Sequence, residues 1–159
     1  MGPMKDKKKT ARKTALEIGW REEVVLPQFT RRKIKVKVDT GARTSALHVT
    51  NLEIINRGRS KIAKFTVHPE QDSSKPAYKC EAKVIEVRKI KSSTGHATLR
   101  PVIETEVVLG GESFVTELPL VNRELMGFRM LLGRKALKKR FVVNVAKSYM
   151  GRKWKRSSR

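Results

Sequence analysis

The sequence contains one cysteine, Cys80, and three aspartates, Asp6, Asp39 and Asp72. A single thiol excludes an internal disulfide and fits a reducing compartment. No stretch approaches the ~18 consecutive apolar residues of a membrane-spanning helix. The amino-terminal stretch is charged but lacks the apolar run of a secretory signal, so the expected location is the cytoplasm and no membrane partner is expected. Aromatic residues make up 6% of the 159 and are scattered, which argues against a stacking platform for single-stranded nucleic acid. There is no His-Glu-x-x-His pattern, no Cys-x-x-Cys pair and no glycine-rich Walker loop, so neither zinc nor ATP is expected as a cofactor. His48, His68, His96 and Cys80 are not spaced as a local ligand pair.

Acids are also few: 15 Asp and Glu stand against 37 Lys and Arg, for a net charge of +22. Residues 1–14 and 150–159 together hold eleven of the bases and one acid. The remainder is spread over the body, with dense runs at "RRKIKVK" and "GRKALKKR". Such a balance favours acidic partners, whether RNA, a ribosomal surface or a Glu-rich peptide, without choosing among them. Residues 1–15 read as a disordered basic arm, 16–149 as one domain, and 150–159 as a basic tail that frays and touches RNA or ribosomes weakly.

The body has the rhythm of short strands. "IGWREEVVLPQF" is an apolar segment able to pair at a sheet edge. Lys33, Lys35 and Lys37 then alternate with Ile34, Val36 and Val38, the period of a half-buried strand. Further β-like pieces lead to the polar loop "EQDSSKPAY" and the turn "KSSTGH". "RPVIETEVVLGGESFVTELPLV" carries two β-rich runs around Gly110-Gly111, a hairpin signal. An apolar run ending at Gly133, a short basic helix and a closing strand complete the pattern. The reading is an all-β barrel with one short helix near the C-terminus.

Asp39 stands at the end of the alternating strand, in "KVKVDTGARTSAL". Asp, Thr and Gly are ordinary turn residues, and the group could simply close a strand. An apolar strand before it and small residues after it, however, suggest a carboxylate held in a packed loop, where desolvation is normally accepted for a function. One carboxylate activates water poorly, whereas two that share a proton divide into a base and an acid. Asp6 and Asp72 lack the Thr-Gly context, so a paired site requires the Asp39 of a second chain.

"VDTGA" followed much later by "MLLGRKAL" resembles the retropepsin-type aspartic proteases, single-domain chains that dimerise to build one active site. "VKVDTGARTSALH", "RPVIET", "MLLGR" and "FVVNVAKSY" bring it closer to a bacterial and archaeal group labelled ATP-dependent zinc protease, associated with ATP-grasp ligases that add glutamate to proteins. The resemblance implies a retropepsin-like closed β-barrel and a homodimeric aspartic-type peptidase. It makes Asp39 the catalytic acid and base, with Thr40 bracing the two loops across the dimer and Gly41 admitting substrate backbone. Ala42 packs beneath as part of the substrate-binding set, and Leu131, Leu132 and Gly133 form the strand behind the loop.

Three departures accompany the resemblance. Arg43 occupies the position where viral retropepsins carry an aspartate for the Gly-Arg pair, so Arg134 needs another partner. The glycine-rich flap is missing, and "RKIKSSTGHATLRP" is the flap candidate, with its tip at Ser93, Thr94, Gly95 and His96. The longer interval from Asp39 to Gly133 implies an inserted hairpin within 53–80. Arg43, with Arg100, would bind an acidic peptide side chain and favour the ionised Asp39; the other reading of Arg43 is an interface or fold-stabilising residue. A non-catalytic module that binds RNA, a ribosome or an acidic protein through its basic surface is the competing functional reading.

Overall fold

The computed structural model describes residues 14–91 and 95–153. It consists of ten strands, one short helix and a 3-10 turn. In chain order the strands are β1 (Leu16–Leu26), β2 (Thr30–Val38), β3 (Ala46–Arg57), β4 (Ser60–Val67), β5 (Tyr78–Lys83), β6 (Glu86–Lys91), β7 (Ala97–Leu109), β8 (Glu112–Val121), β9 (Met130–Leu132) and β10 (Phe141–Ser148). The helix α1 is the single turn Arg134–Leu137, and the 3-10 turn covers Met150–Lys153. None of the helices among the described residues is long and apolar enough to cross a membrane.

The alternation in β2 has the meaning its period suggests: Ile34, Val36 and Val38 are buried, while Lys33 and Lys35 face solvent and Lys37 is half-buried. Gly110, at φ 62°, makes the β7–β8 turn, and Leu109 pairs with Glu112 across it. The sheet runs β10-β1-β2-β9-β3-β8-β7-β6, with β4 and β5 branching from β3. Residues 53–80 therefore form most of an antiparallel extension, the outer half of β3 with β4 and the start of β5. Ala63, Phe65 and Val67 of β4 turn into the core, which also holds Ile18, Leu26, Leu47, Leu109, Leu118 and Met130.

Two expectations are revised by the pairing. The closed barrel is a splayed ring: β1 meets β7 at only one pair, Val25 with Val108. The reason is that β1 is already flanked by β2 and, in parallel, by β10. For the same reason β1 is an interior strand, not an edge.

The carboxyl-terminal segment is docked through residue 153. Fully buried Glu22 accepts backbone N–H groups from Gly19 (2.7 Å), Met150 (2.8 Å) and Gly151 (2.9 Å). Gly19 has to be glycine, since a Cβ there would lie 2.1 Å from the Lys147 carbonyl oxygen. Arg152 adds a two-pronged pair to Glu23, at 2.9 and 2.8 Å, and this bond holds the Glu23 carboxyl below its ordinary pKa. Replacing Glu22 with Gln turns an amide N–H toward backbone donors, so Glu22→Gln should cost about 1–3 kcal/mol. Denaturant unfolding checks this; a loss below about 0.5 kcal/mol would contradict the clamp.

Candidate active site

The loop at Asp39 is built by a strand from the far end of the chain. β9 lies between β2 and β3, parallel to the first (Val38 with Leu132) and antiparallel to the second (Ala46 with Leu131). The Asp39 N–H continues this pairing by donating to the Leu132 carbonyl at 2.8 Å. Residues 39–45 then leave one side of β9 and return to the other. Within the loop, Ala42 N–H donates to the Asp39 carbonyl at 3.2 Å and Gly41 N–H to Asp39 Oδ1 at 3.0 Å. These short bonds are the ordinary chemistry of an Asx turn, here serving to aim a carboxylate.

Gly133 sets how closely the loop sits. A Cβ on it would lie 2.5 Å from both the carbonyl carbon and oxygen of Thr44, and 2.9 Å from the Ala42 oxygen. Its backbone is extended (φ −99°, ψ −179°), so the demand for glycine is one of space. With the side chain absent, Gly133 N–H reaches the buried Ser45 hydroxyl at 3.0 Å. The next two amides, of Arg134 and Lys135, donate to the carbonyls of Ala42 (2.8 Å) and Arg43 (3.0 Å). The Arg134 guanidinium donates to the Thr40 carbonyl at 3.1 Å, which is the replacement partner that Arg43 made necessary.

With its backbone engaged from behind, the loop presents Thr40, Gly41 and Arg43 to solvent and leaves Asp39 half-buried. Leu132 of β9, Gly133 and Arg134 bond the loop, while Leu131 pairs with Lys37 and Ala46 on either side of it. Ser45 is the member that sequence reasoning missed; its signal was only the run of small residues after Gly41. The helix behind the loop is also tied outward, because Lys135 Nζ binds Glu117 at 3.1 Å and Glu117 binds Arg88 of β6 at 2.8 Å. The bond from Arg88 is the main cause that keeps the Glu117 carboxyl below its ordinary pKa.

The remaining candidates lie on other elements. The flap candidate is a β6–β7 hairpin, with Lys91 opposite Ala97 and Gly95 at φ 90°; Ser93 and Thr94 lie outside the described residues. Arg100 sits on β7 and lines a cavity of about 380 Å³ that shares no residue with the 39–45 loop. Asp72 is elsewhere, in a groove with Glu23, Lys33, Lys35 and Glu70. Each chain thus offers one carboxylate in the Asp-Thr-Gly setting.

Two of the three histidines are held by neighbouring groups. His68 bonds Thr50 Oγ1 (2.6 Å) and the Ser74 carbonyl (2.9 Å), and His48 Nδ1 accepts from Arg129 at 3.0 Å. Among the described residues no three His, Cys, Asp or Glu side chains are grouped to hold a metal. Cys80 is half-buried, and burial pushes its thiol up to about 11. Arg129 also binds the carbonyls of Glu70 and Ser73, so His48 belongs to the anchoring of the 68–77 loop.

The family described as retropepsin-like aspartic endopeptidase RimB matches residues 17–153. Proteins named "Probable alpha-L-glutamate ligase" are similar as well: that of Shewanella pealeana is 41% identical over 132 residues, covering 83% of this chain. The one from Desulfotalea psychrophila is 38% identical over 129 residues, covering 81% of it. The chain spans only 29% and 28% of the length of those two relatives. The crystal structure of Lpg0085, a protein of unknown function from Legionella pneumophila, superposes with a TM-score of 0.70 at 25% identity. It covers 87% of this chain, and the match spans 99% of that one.

Gly133→Ala should cost more than about 2 kcal/mol, because two backbone segments would have to separate. It should also speed amide exchange at Ala42 and Arg134, while exchange in β4 should stay slow; equal protection in both variants would oppose the close-packing account. The His48 pKa is held below its ordinary value of 6.5 mainly by burial, then by the Arg129 charge and the nearby His68, with Glu124 acting the other way. The neutral ring is favoured in the fold, so its contribution is complete above pH 6.5 and is lost as pH falls from there through the folded value. An NMR titration should place the His48 midpoint below 6.5, and a midpoint above it would reverse the sign.

Proposed function

The chain belongs to the family described as retropepsin-like aspartic endopeptidase RimB, and on that premise we propose that it is an aspartic peptidase active as a homodimer. The observation that carries this reading is the Asp39 loop: its backbone is stitched to β9, Gly133 and Arg134 from behind, while one carboxylate is left at an open front. A rigid loop with a single acid has the form of half a site. A second copy supplies the other half.

In the dimer the two Asp39 carboxyls share one proton, because two adjacent negative charges cannot both persist. The ionised carboxylate takes a proton from water, and the water oxygen bonds to the peptide carbonyl carbon. The protonated carboxyl gives its proton to the carbonyl oxygen, so the intermediate is a neutral diol. Its collapse breaks the C–N bond: the proton held by the base passes to the leaving nitrogen, and one hydroxyl proton returns to the other carboxyl. Thr40, exposed beside Asp39, is suited to bracing its counterpart across the two-fold axis. No metal enters the scheme.

The preferred substrate in this reading is an acidic, glutamate-rich peptide. A net charge of +22 supports it, since such a field concentrates polyanionic chains. The relatives named for glutamate ligation support it too, because a peptidase unit within such a protein could remove what a ligase adds. The same charge is what favours the second reading, a binding module for RNA or an acidic protein. Incubating wild type and Asp39→Asn with a peptide mixture that includes poly-glutamate tails, followed by mass spectrometry, separates the two. Cleavage should appear with wild type and fall by about a thousandfold or more in Asp39→Asn. An uncleaved mixture, at concentrations where sedimentation finds a dimer, would favour the binding module.

A further inference from the structure

Arg100 and Arg123 line one cavity together with Leu52, Leu99, Leu120 and Val121. Arg100 is half-buried on β7, and Arg123 follows the end of β8. Neither guanidinium makes a hydrogen bond or an ion pair among the described residues. Two acids of the neighbouring strands are engaged elsewhere: Glu86 by Arg88, and Glu117 by Arg88 and Lys135. Burial and the charge of Arg123 both press the Arg100 pKa below its ordinary value. Two like charges brought together without a counter-ion are destabilised relative to the same pair holding an anion.

The cavity is also placed to meet a substrate. Val121, part of its wall, packs against Ala46, Leu125 and Leu131. Ala46 opens β3 directly after the Asp39 loop, and Leu131 pairs with it from β9. Through Val121 the cavity wall therefore packs on residues that flank the Asp39 loop. The lining contains no aromatic ring on which a nucleic-acid base could stack, and its apolar walls suit the methylenes of a carboxylic side chain.

We propose that Arg100 and Arg123 together form an anion subsite that takes one side-chain carboxylate of an acidic peptide whose backbone crosses Asp39. The path of the peptide rests on the peptidase reading, but its capture by the arginines does not require cleavage. The guanidinium fork can bind the carboxylate through two parallel bonds, a geometry that lysine lacks. The subsite would distinguish glutamate from glutamine by charge alone, as the two have the same shape.

The test uses the full chain carrying Asp39→Asn, so that binding is measured without turnover, with labelled penta-glutamate and fluorescence anisotropy. Adding Arg123→Gln should weaken binding about ten- to a hundredfold, the loss expected for a charge-assisted pair. Arg100→Gln should match it, and since Arg123 is exposed its variant carries the test if Arg100→Gln does not fold. Arg59→Gln, which removes the same charge from the exposed β3–β4 turn, should change the affinity less than twofold. Binding of penta-glutamine should not respond to Arg123→Gln. Equal losses from Arg59→Gln and Arg123→Gln, or no binding of penta-glutamate at all, would overturn the proposal. So would an oligouridine whose binding falls as far as that of the peptide. Intact, Arg123-dependent binding with no cleavage by wild type would remove the peptidase reading and leave this subsite standing.

Discussion

The absence of one side chain at Gly133 is what the rest of the site depends on. Its Cα approaches the Thr44 carbonyl so closely that a methyl group would overlap it. That approach lets β9 slide between β2 and β3 and brings three consecutive amides, from Gly133 to Lys135, within reach of the loop. A loop pressed against a strand is costly when the carbonyls and amides on its inner side have no partners. Here they have them, from a segment that lies far along the chain. The side chains of Thr40 and Arg43 are thereby left exposed, and half-buried Asp39 spends only one carboxylate oxygen on the Gly41 amide.

Scarcity of acids organises the outer parts of the molecule in the same way. Glu22 fastens the carboxyl-terminal turn to β1, Glu23 holds Arg152, and Glu117 links the β6–β7 hairpin to the helix behind the Asp39 loop. Each of these acids joins elements distant in sequence, so each does more for topology than an isolated surface ion pair would. With 15 acids against 37 bases in the whole sequence, much of the positive charge cannot be paired internally and its field points outward. Polyanionic partners suit such a surface, and salt should screen them from it.

Some of this was legible in one dimension. The Lys and Val alternation before Asp39, the Gly110-Gly111 hairpin and the run of apolar residues ending at Gly133 all depend on neighbours a few positions apart, and they fold as they read. The splayed ring was not legible, because whether β1 closes on β7 or is capped by β10 is a competition for one edge. Nor was the docked turn at Met150–Lys153, whose basic composition reads as a solvated tail until buried Glu22 is set against its amides. Arg123 carried no local signal, since a lone arginine after a strand becomes informative only beside another that lacks an acid.

The sequence by itself determined the β-rich class and the single Asp-Thr-Gly, which is why the proposed paired site calls on a second copy. It also required Arg134 to find a partner other than the aspartate that Arg43 replaces. Only the tertiary structure decided that this partner is the Thr40 carbonyl, 94 positions away, and that Ser45 receives the Gly133 amide. The physical reason lies in the range of the two kinds of constraint. Strand period and turn chemistry are settled by steric contacts between near neighbours. Long-range pairing is settled by which of several compatible edges leaves no polar group or cavity unfilled, a choice made by the folded chain as a whole.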